Sequence, residues 1–257
     1  MRTVILAGGT GTRLTEKTEL VPKALIPIGG KPIIWHIMKH YSFYGHKTFG
    51  VALGYKQESF KTYFNNFDII NCDITVATGG GWDLDTPIFH GAERPAWLIN
   101  LVYTGEHTLK GTRLLRMQQH LGDYSFMVTY GDAVSDVNID ELVRFHSNHG
   151  KIATITGVAP PPRFGEITIK NGKAVAYAEK PPQKGLINGG YMVFKNDIFN
   201  YLYDGCDLET DVFKILAEQE ELMVYEHKGY WQCMDTLHDM LTLQKQRDGG
   251  TAPWKVW

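Results

Sequence analysis

The chain has 257 residues, 43% of them hydrophobic, enough for one large α/β domain with a sizeable core. A formal net charge of −2 argues against nucleic acid or a membrane surface as a partner, and no apolar run is long enough to span a bilayer. Three cysteines, Cys72, Cys206 and Cys233, have neither disulfide nor zinc spacing, and Met1-Arg2-Thr3-Val4 runs straight into an apolar segment, so reduced thiols, no signal peptide and a cytoplasmic setting are expected.

Thr3-Val4-Ile5-Leu6-Ala7 predicts a short buried strand, followed at once by Gly8-Gly9-Thr10-Gly11-Thr12-Arg13-Leu14. A strand running into a glycine-rich turn makes an anion pocket at the carboxyl edge of a sheet. Glycine lets the backbone approach an anion, and the Thr10 and Thr12 hydroxyls and the Arg13 guanidinium add donors. The turn lacks the Gly-Lys-Ser/Thr of a Walker loop and the spacing of a dinucleotide fingerprint, so phosphate binding stays open on this segment alone. Next, Pro22-Lys23-Ala24-Leu25-Ile26-Pro27-Ile28 places a lysine in apolar surroundings.

Gly30-Lys31-Pro32 predicts a helix start, with the helix running to about Tyr44 and ending at Gly45. Phe49 to Gly54 reads as a second buried strand. Glu58 to Phe67 reads as a helix whose Phe60, Tyr63, Phe64 and Phe67 face the core. Cys72 to Ala77 and Ile99 to Tyr103 read as strands, and the alternation predicts a mostly parallel sheet with right-handed crossovers. The stretch from Gly79 to Trp97 is rich in glycine and charge without periodicity, which marks a functional loop or a subunit contact.

Gly111-Thr112-Arg113-Leu114 puts an arginine at a helix start, against the helix dipole. A bound triphosphate removes that conflict, and a solvent-exposed side chain is the alternative. Ser125 to Tyr130 is a strong strand pattern that delivers Gly131-Asp132-Ala133-Val134 to the carboxyl edge. A carboxylate beside a phosphate pocket calls for a divalent cation, and magnesium favours one or two carboxylates with phosphate oxygens; a cap is the other reading of Asp132. Pro160-Pro161-Pro162 marks a rigid turn between two parts of the fold. Ile167-Thr168-Ile169, Asn171-Gly172 and Ala174 to Tyr177 predict a β-hairpin, followed by Glu179-Lys180-Pro181, a sugar-phosphate site or a solvated ion pair. Ile187-Asn188-Gly189-Gly190-Tyr191 opens another strand. Thr236 begins the last helix, to about Arg247, with Asp235 as its possible N-cap.

The pattern Leu6-Ala7-Gly8-Gly9 to Leu14, then Pro22-Lys23, then Gly29-Gly30-Lys31-Pro32-Ile33, resembles the sugar-1-phosphate nucleotidyltransferases. Pro162-Arg163-Phe164-Gly165 and Trp231-Gln232-Cys233-Met234-Asp235-Thr236 resemble later segments of the same family. Trp35-His36-Ile37-Met38-Lys39 and the tail Ala252-Pro253-Trp254-Lys255 are similar to the glucose-1-phosphate cytidylyltransferase branch. The resemblance implies an α/β fold with a Rossmann-like mixed, mostly parallel sheet flanked by helices. It implies a nucleotide-binding portion over about 1–150 and a smaller β-rich sugar-binding portion over about 151–257. The implied reaction is direct attack of a sugar 1-phosphate on the α-phosphorus of CTP, with Mg2+ as cofactor and a homo-oligomer as the working form.

By the same resemblance, the nucleotide is held by Leu6, Gly8, Gly9, Thr10, Gly11, Thr12, Arg13, Lys23, Thr108, Arg113 and Gly131. Catalysis falls to Arg13, Lys23 and Asp132, the metal to Asp132 and Asp235, and the sugar phosphate to Tyr130, Glu179, Lys180, Asn188 and Gly189. Two departures stand out. Ala133 replaces a family glycine, at a cost of roughly 1 kcal/mol if that position needs positive φ. Ala24-Leu25-Ile26-Pro27 differs from the usual run after the lysine, which leaves the acceptor open. The alternatives are a relative using UTP, dTTP or another sugar phosphate, and a non-catalytic sensor. A sensor would be expected to have lost one of Lys23, Asp132, Lys180 and Asp235, and all four are present.

Overall fold

The computed structural model describes residues 1–9, 11, 21–79, 86–91, 94–122, 124–161, 165–179 and 185–257. Thr10, Thr12, Arg13, Leu14, Pro162, Arg163, Phe164 and Lys180 lie outside the described residues.

Apolar strand segments assemble a central sheet. β1 (Thr3–Leu6) lies between β4 (Thr48–Leu53) and β8 (Phe126–Tyr130), parallel to both, and β4 continues in parallel to β7 (Leu98–Tyr103). On the other side of β8 comes β13 (Ile187–Phe194), antiparallel to it, then β10 (Ala153–Val158) and β14 (Leu222–His227). Among the described residues the order is β14-β10-β13-β8-β1-β4-β7. The sheet is therefore mixed and mostly parallel, and strands of both halves of the chain share it.

The period-2 alternation of a strand divides the core in two. Val4 and Leu6 face one side, with Ala52, Val128 and the helix α4 (Lys110–Met117) through Leu114 and Met117. Ile5 faces the other, with Phe49, Val51, Met127 and the helix α1 (Ile33–Phe43) through Ile34, Ile37 and Tyr41. Gly45, at φ 83°, ends α1 as predicted. Sheet strands buried on both faces explain the near-continuous apolar runs.

Three local expectations need correction. The predicted helix from Glu58 to Phe67 is two helices, α2 (Gln57–Asn65) and α3 (Phe67–Asn71), because the chain turns at Asn66. The strand predicted over 72–77 shortens to β5 (Asp73–Thr75), which pairs with β6 (Ile88–His90) apart from the main sheet. Ala133 carries no positive φ; it is buried at the start of β9 (Ala133–Ser135), where alanine is unstrained. The predicted hairpin is found as β11 (Glu166–Lys170) and β12 (Lys173–Ala178). Asn171 and Gly172 take φ of 51° and 76°, the left-handed pair of a type I′ turn.

The last helix, α7 (Leu237–Asp248), begins with a capping box in place of an Asp235 cap. Thr236 accepts from the Asp239 amide, and Asp239 accepts from the amides of Thr236 and Asp235 at 2.9 and 3.1 Å. This cap positions Asp235 directly ahead of the helix. Asp239→Ala is expected to lower stability by about 1–2 kcal/mol, a loss of roughly 2–8 °C in Tm for a chain of this size; a Tm equal to wild type in thermal unfolding would show that the box contributes nothing.

Candidate active site

Parallel strands open a crevice beyond their carboxyl ends, and a cavity of about 430 Å³ lies there. Its floor is the turn after β1 and the turn after β8. The Gly131 amide donates to the Leu6 carbonyl at 3.1 Å, which ties the two turns together. Among the described residues, no heavy atom stands within 4 Å of where a Cβ at Gly9 would be.

Arg113 organises the wall. It is 4% exposed, and its guanidinium donates to the carbonyls of Gly8 (2.9 Å), Leu53 (3.2 Å), Gly105 (2.6 Å) and Glu106 (3.0 Å) and to the Thr104 hydroxyl (3.0 Å). The acceptors come from the ends of β1, β4 and β7, so one side chain fixes three loops. Backbone carbonyls meet its polar demand, which removes the solvent-exposed alternative. Burial, then Arg116, pulls its pKa below the ordinary arginine value, yet a guanidinium stays charged. The approach is so close that a Cβ at Gly8 would stand 2.1 Å from an Arg113 nitrogen. At Gly54 a Cβ would meet the Gly8 carbonyl at 2.5 Å, so both glycines are dictated by this packing.

Across the crevice stand a lysine and two carboxylates. Lys23 sits on a 3-10 turn (Lys23–Leu25) after Pro22, Asp132 follows β8, and Asp235 follows β15 (Trp231–Cys233). The Lys23 Nζ donates to Asp132 Oδ2 at 2.7 Å and Asp235 Oδ1 at 2.5 Å. The Met234 amide donates to the Asp132 carbonyl at 2.8 Å, and β15 pairs with β9, so backbone bonds hold the two carboxylates opposite each other. Burial alone would lower the lysine's pKa, but Asp132 and Asp235 outweigh it and the net shift is upward. The stability this contributes is complete below the ordinary lysine value of 10.5 and fades only as pH rises through the raised value.

The crevice continues toward β13. The Asn188 Nδ2 donates to the Tyr130 hydroxyl at 3.1 Å, and that hydroxyl donates to Glu209 Oε1. Lys110 lies 5.5 Å from the Tyr130 ring centroid and pairs with Glu209. Burial, then Glu209, raises the Tyr130 pKa, so the phenol remains protonated. Asp207 lines the same side. Its Oδ1 accepts from the Glu209 and Thr210 amides at 3.0 and 3.2 Å, capping the turn over Leu208–Phe213.

A profile of the nucleotidyl transferase family matches residues 2–248. The chain belongs to that family. It is 42% identical over 260 residues to a glucose-1-phosphate cytidylyltransferase of Salmonella typhimurium, with all of both chains covered. A probable glucose-1-phosphate cytidylyltransferase of Bacillus subtilis is 40% identical, again over both full lengths. Among solved structures, a putative glucose-1-phosphate thymidylyltransferase of Bacillus anthracis superposes with a TM-score of 0.68 at 19% identity, covering 98% of this chain and 95% of that one. A UDP-glucose pyrophosphorylase complexed with UDP-glucose superposes with a TM-score of 0.67 at 17% identity, over 97% and 98% of the two chains. At such identities these two speak for the fold.

Of the residues predicted for this nucleotidyl transferase, Leu6, Gly8, Gly9, Gly11, Lys23, Thr108, Arg113, Tyr130, Gly131, Asp132 and Asp235 line the one cavity. Asn188 reaches it through Tyr130. Glu179 lies at the exposed end of the hairpin, where it accepts from the Tyr177 hydroxyl, and does not line the cavity. Gly189 is set by packing: a Cβ would stand 2.7 Å from Val158, and its carbonyl accepts from Trp231. Sequence reasoning missed Lys110, Asp207 and Glu209. Lys110 shares the signal noticed at Arg113, a cation in the first turn of a helix. Asp207 carries the signature of an acidic cap before Glu209 and Asp211.

Replacing Arg113 with alanine leaves four carbonyls without this donor, so a loss of at least about 3 kcal/mol is expected. Arg113→Lys recovers only part of it, because three donors on a point charge cannot replace the five-donor fork. Chemical denaturation checks both, and equal midpoints for lysine and arginine would overturn the pinning role.

Proposed function

We propose that the chain transfers a cytidylyl group from CTP to α-D-glucose 1-phosphate, giving CDP-glucose and pyrophosphate. The observation that carries this reading is the Lys23 ammonium held between Asp132 and Asp235, facing a glycine turn at the sheet's carboxyl edge. The choice of base and sugar rests on full-length similarity to glucose-1-phosphate cytidylyltransferases.

The two carboxylates suit a divalent cation. One nitrogen bonds to both, so their oxygens converge on a point where a cation sits, and two hard oxygen donors beside an open cleft match the coordination magnesium takes with phosphate. Magnesium bound by Asp132 and Asp235 would neutralise charge on the nucleotide phosphates. The protein's part is positional. The attacking phosphate is already an anion, so no general base is required, and catalysis is orientation with charge stabilisation. The loop from Gly8 carries the triphosphate together with Arg13, Lys23 meets charge gathering on the α-phosphate, and Lys180 places the acceptor. Tyr130, Asn188, Glu179 and Gly189 are assigned to the sugar side.

The same reading places the enzyme in the cytoplasm as a homo-oligomer within carbohydrate biosynthesis. The absence of a disulfide among the described residues supports the first assignment. Exposed Ile69, Ile70, Ile74, Val76 and Ile88 around β5 and β6 support a subunit contact there. No helix among the described residues is long and apolar enough to cross a membrane.

Pyrophosphate release, measured for CTP, UTP, dTTP, ATP and GTP against glucose 1-phosphate with magnesium, is expected with CTP alone. Release with a different triphosphate would keep the site and overturn the base. Lys23→Ala is expected to reduce turnover about 100-fold or more, with a smaller effect on Tm. Turnover near wild type in that variant would remove Lys23 from the chemistry.

A further inference from the structure

Lys110 and Asp207 line the cleft, yet neither they nor Glu209 has a task in the reaction above. Lys110 opens α4. Its ammonium forms an ion pair with Glu209 and stands 4.0 Å from an Asp207 oxygen and 5.5 Å from the Tyr130 ring centroid. A partly exposed pair of this kind adds little to stability, because water screens both charges and the long side chains lose freedom in forming it. A lysine in the first turn also opposes the helix dipole. Stability gives a weak reason for Lys110, and its neighbours give a stronger one.

The pair belongs to a framework that ends on the sugar side of the cleft. Glu209 lies in a π-helical turn, a rare geometry, over Leu208–Phe213. Asp207 sets the entry to that turn: besides capping it, its own amide donates to Asp211 Oδ2 at 2.8 Å. The segment just ahead is fastened to α4. The Thr112 amide donates to the Cys206 carbonyl at 3.2 Å, and the Gly205 amide donates to the Thr112 hydroxyl at 2.7 Å. A Cβ at Gly111 would stand 2.4 Å from the Cys206 sulfur, so the first turn of α4 and the π-helical turn form one packed unit. Glu209 accepts from the Tyr130 hydroxyl, which accepts from Asn188 Nδ2 at 3.1 Å. Gly190 backs this group: a Cβ there would stand 2.6 Å from the Tyr130 ring, and its amide donates to Asn188 Oδ1 at 2.9 Å. Backbone thus fixes Tyr130 and Asn188 from one side. The Glu209 carboxylate fixes them from the other, with Lys110 as its cation.

We propose that Lys110 is a positioning residue for the acceptor: through Glu209 it holds the Tyr130 hydroxyl and the Asn188 amide in the orientation that receives the sugar of a sugar 1-phosphate. The inference rests on the function proposed above and deepens it on the acceptor side alone. The charges agree with it. Without Lys110, Asp207 and Glu209 would set two negative charges beside an anionic acceptor, and like charges repel. Lys110 offsets that repulsion and aims the Glu209 carboxylate at Tyr130. The tasks divide along one helix. Lys110 and Arg113 stand at i and i+3 on α4, hence on one face, and both line the cleft. Arg113 fixes the Gly8 turn on the nucleotide side, and Lys110 fixes the sugar side.

Steady-state kinetics with CTP and glucose 1-phosphate, beside calorimetric titration of glucose 1-phosphate, test this. Lys110→Met is expected to raise the KM for glucose 1-phosphate about tenfold and to weaken its binding equally, with the KM for CTP and the Tm unchanged. Lys110→Arg is expected to recover most of that loss, because a guanidinium also pairs with a carboxylate. In a Glu209→Gln background, Lys110→Met is expected to have no further effect, since the carboxylate through which the lysine acts is gone. A KM for glucose 1-phosphate within about twofold of wild type in Lys110→Met would overturn the proposal. So would an equal rise in the KM for CTP, which marks a general loosening of the cleft, or the full Lys110→Met effect persisting beside Glu209→Gln. Wild-type protein that binds glucose 1-phosphate but transfers nothing from CTP refutes the proposed function, and the titrations of the variants then decide on Lys110. Wild-type protein that does not bind glucose 1-phosphate overturns both.

Discussion

The guanidinium of Arg113 is the constraint on which the cleft depends. Parallel strands place loop ends near one another but do not order them, because loop backbones lack the sheet's own ladder of hydrogen bonds. Arg113 supplies that order. It rises from α4, buried beneath the cleft wall, and holds carbonyls from the ends of β1, β4 and β7. The carbonyls that it engages are thereby committed to a cation of the protein itself. A buried charge without partners would be strongly unfavourable, so the same contacts that shape the loop make burial of the cation tolerable.

The neighbouring cluster follows a different logic. Two carboxylates directed at one point repel each other, and Lys23 offsets that repulsion within the protein. This arrangement orients Asp132 and Asp235, since the ammonium hydrogen-bonds to both. Neither carboxylate is spent on a helix cap, because Thr236 and Asp239 cap α7. The separation of tasks matters. A capping carboxylate is committed to backbone amides, whereas Asp235 turns its Oδ1 to the Lys23 ammonium.

Much of this was legible in the chain itself, for identifiable reasons. Strands β1, β4 and β8 were readable because burial on both faces demands unbroken apolar runs, and the aspartate after β8 was readable because the turn follows the strand directly. The Asn171-Gly172 hairpin was readable because its φ values suit few other residue pairs. What escaped were relations between distant segments. β13 enters antiparallel beside β8, a pairing that no local pattern encodes. The carbonyl partners of Arg113 belong to residues 7 to 105 positions away in sequence. A backbone carbonyl leaves no mark in a sequence, since every residue has one.

The glycines carry the trace of that hidden partner. Gly8 belongs to a turn that reads as phosphate-binding, and the usual argument for such a glycine is close approach of an anion. Here its missing Cβ is also required from the opposite side, by the arginine beneath. Gly54 is required for the same reason, though it lies at the end of β4, in a segment with no phosphate motif. Gly9, one residue on, has nothing within 4 Å of its Cβ position among the described residues. Adjacent glycines in one turn thus answer to different constraints. Gly8 fits the turn to the protein's own cation, while Gly9 keeps the surface open to a ligand. A substitution at Gly8 therefore strikes the scaffold that shapes the cleft, and one at Gly9 strikes the cleft itself.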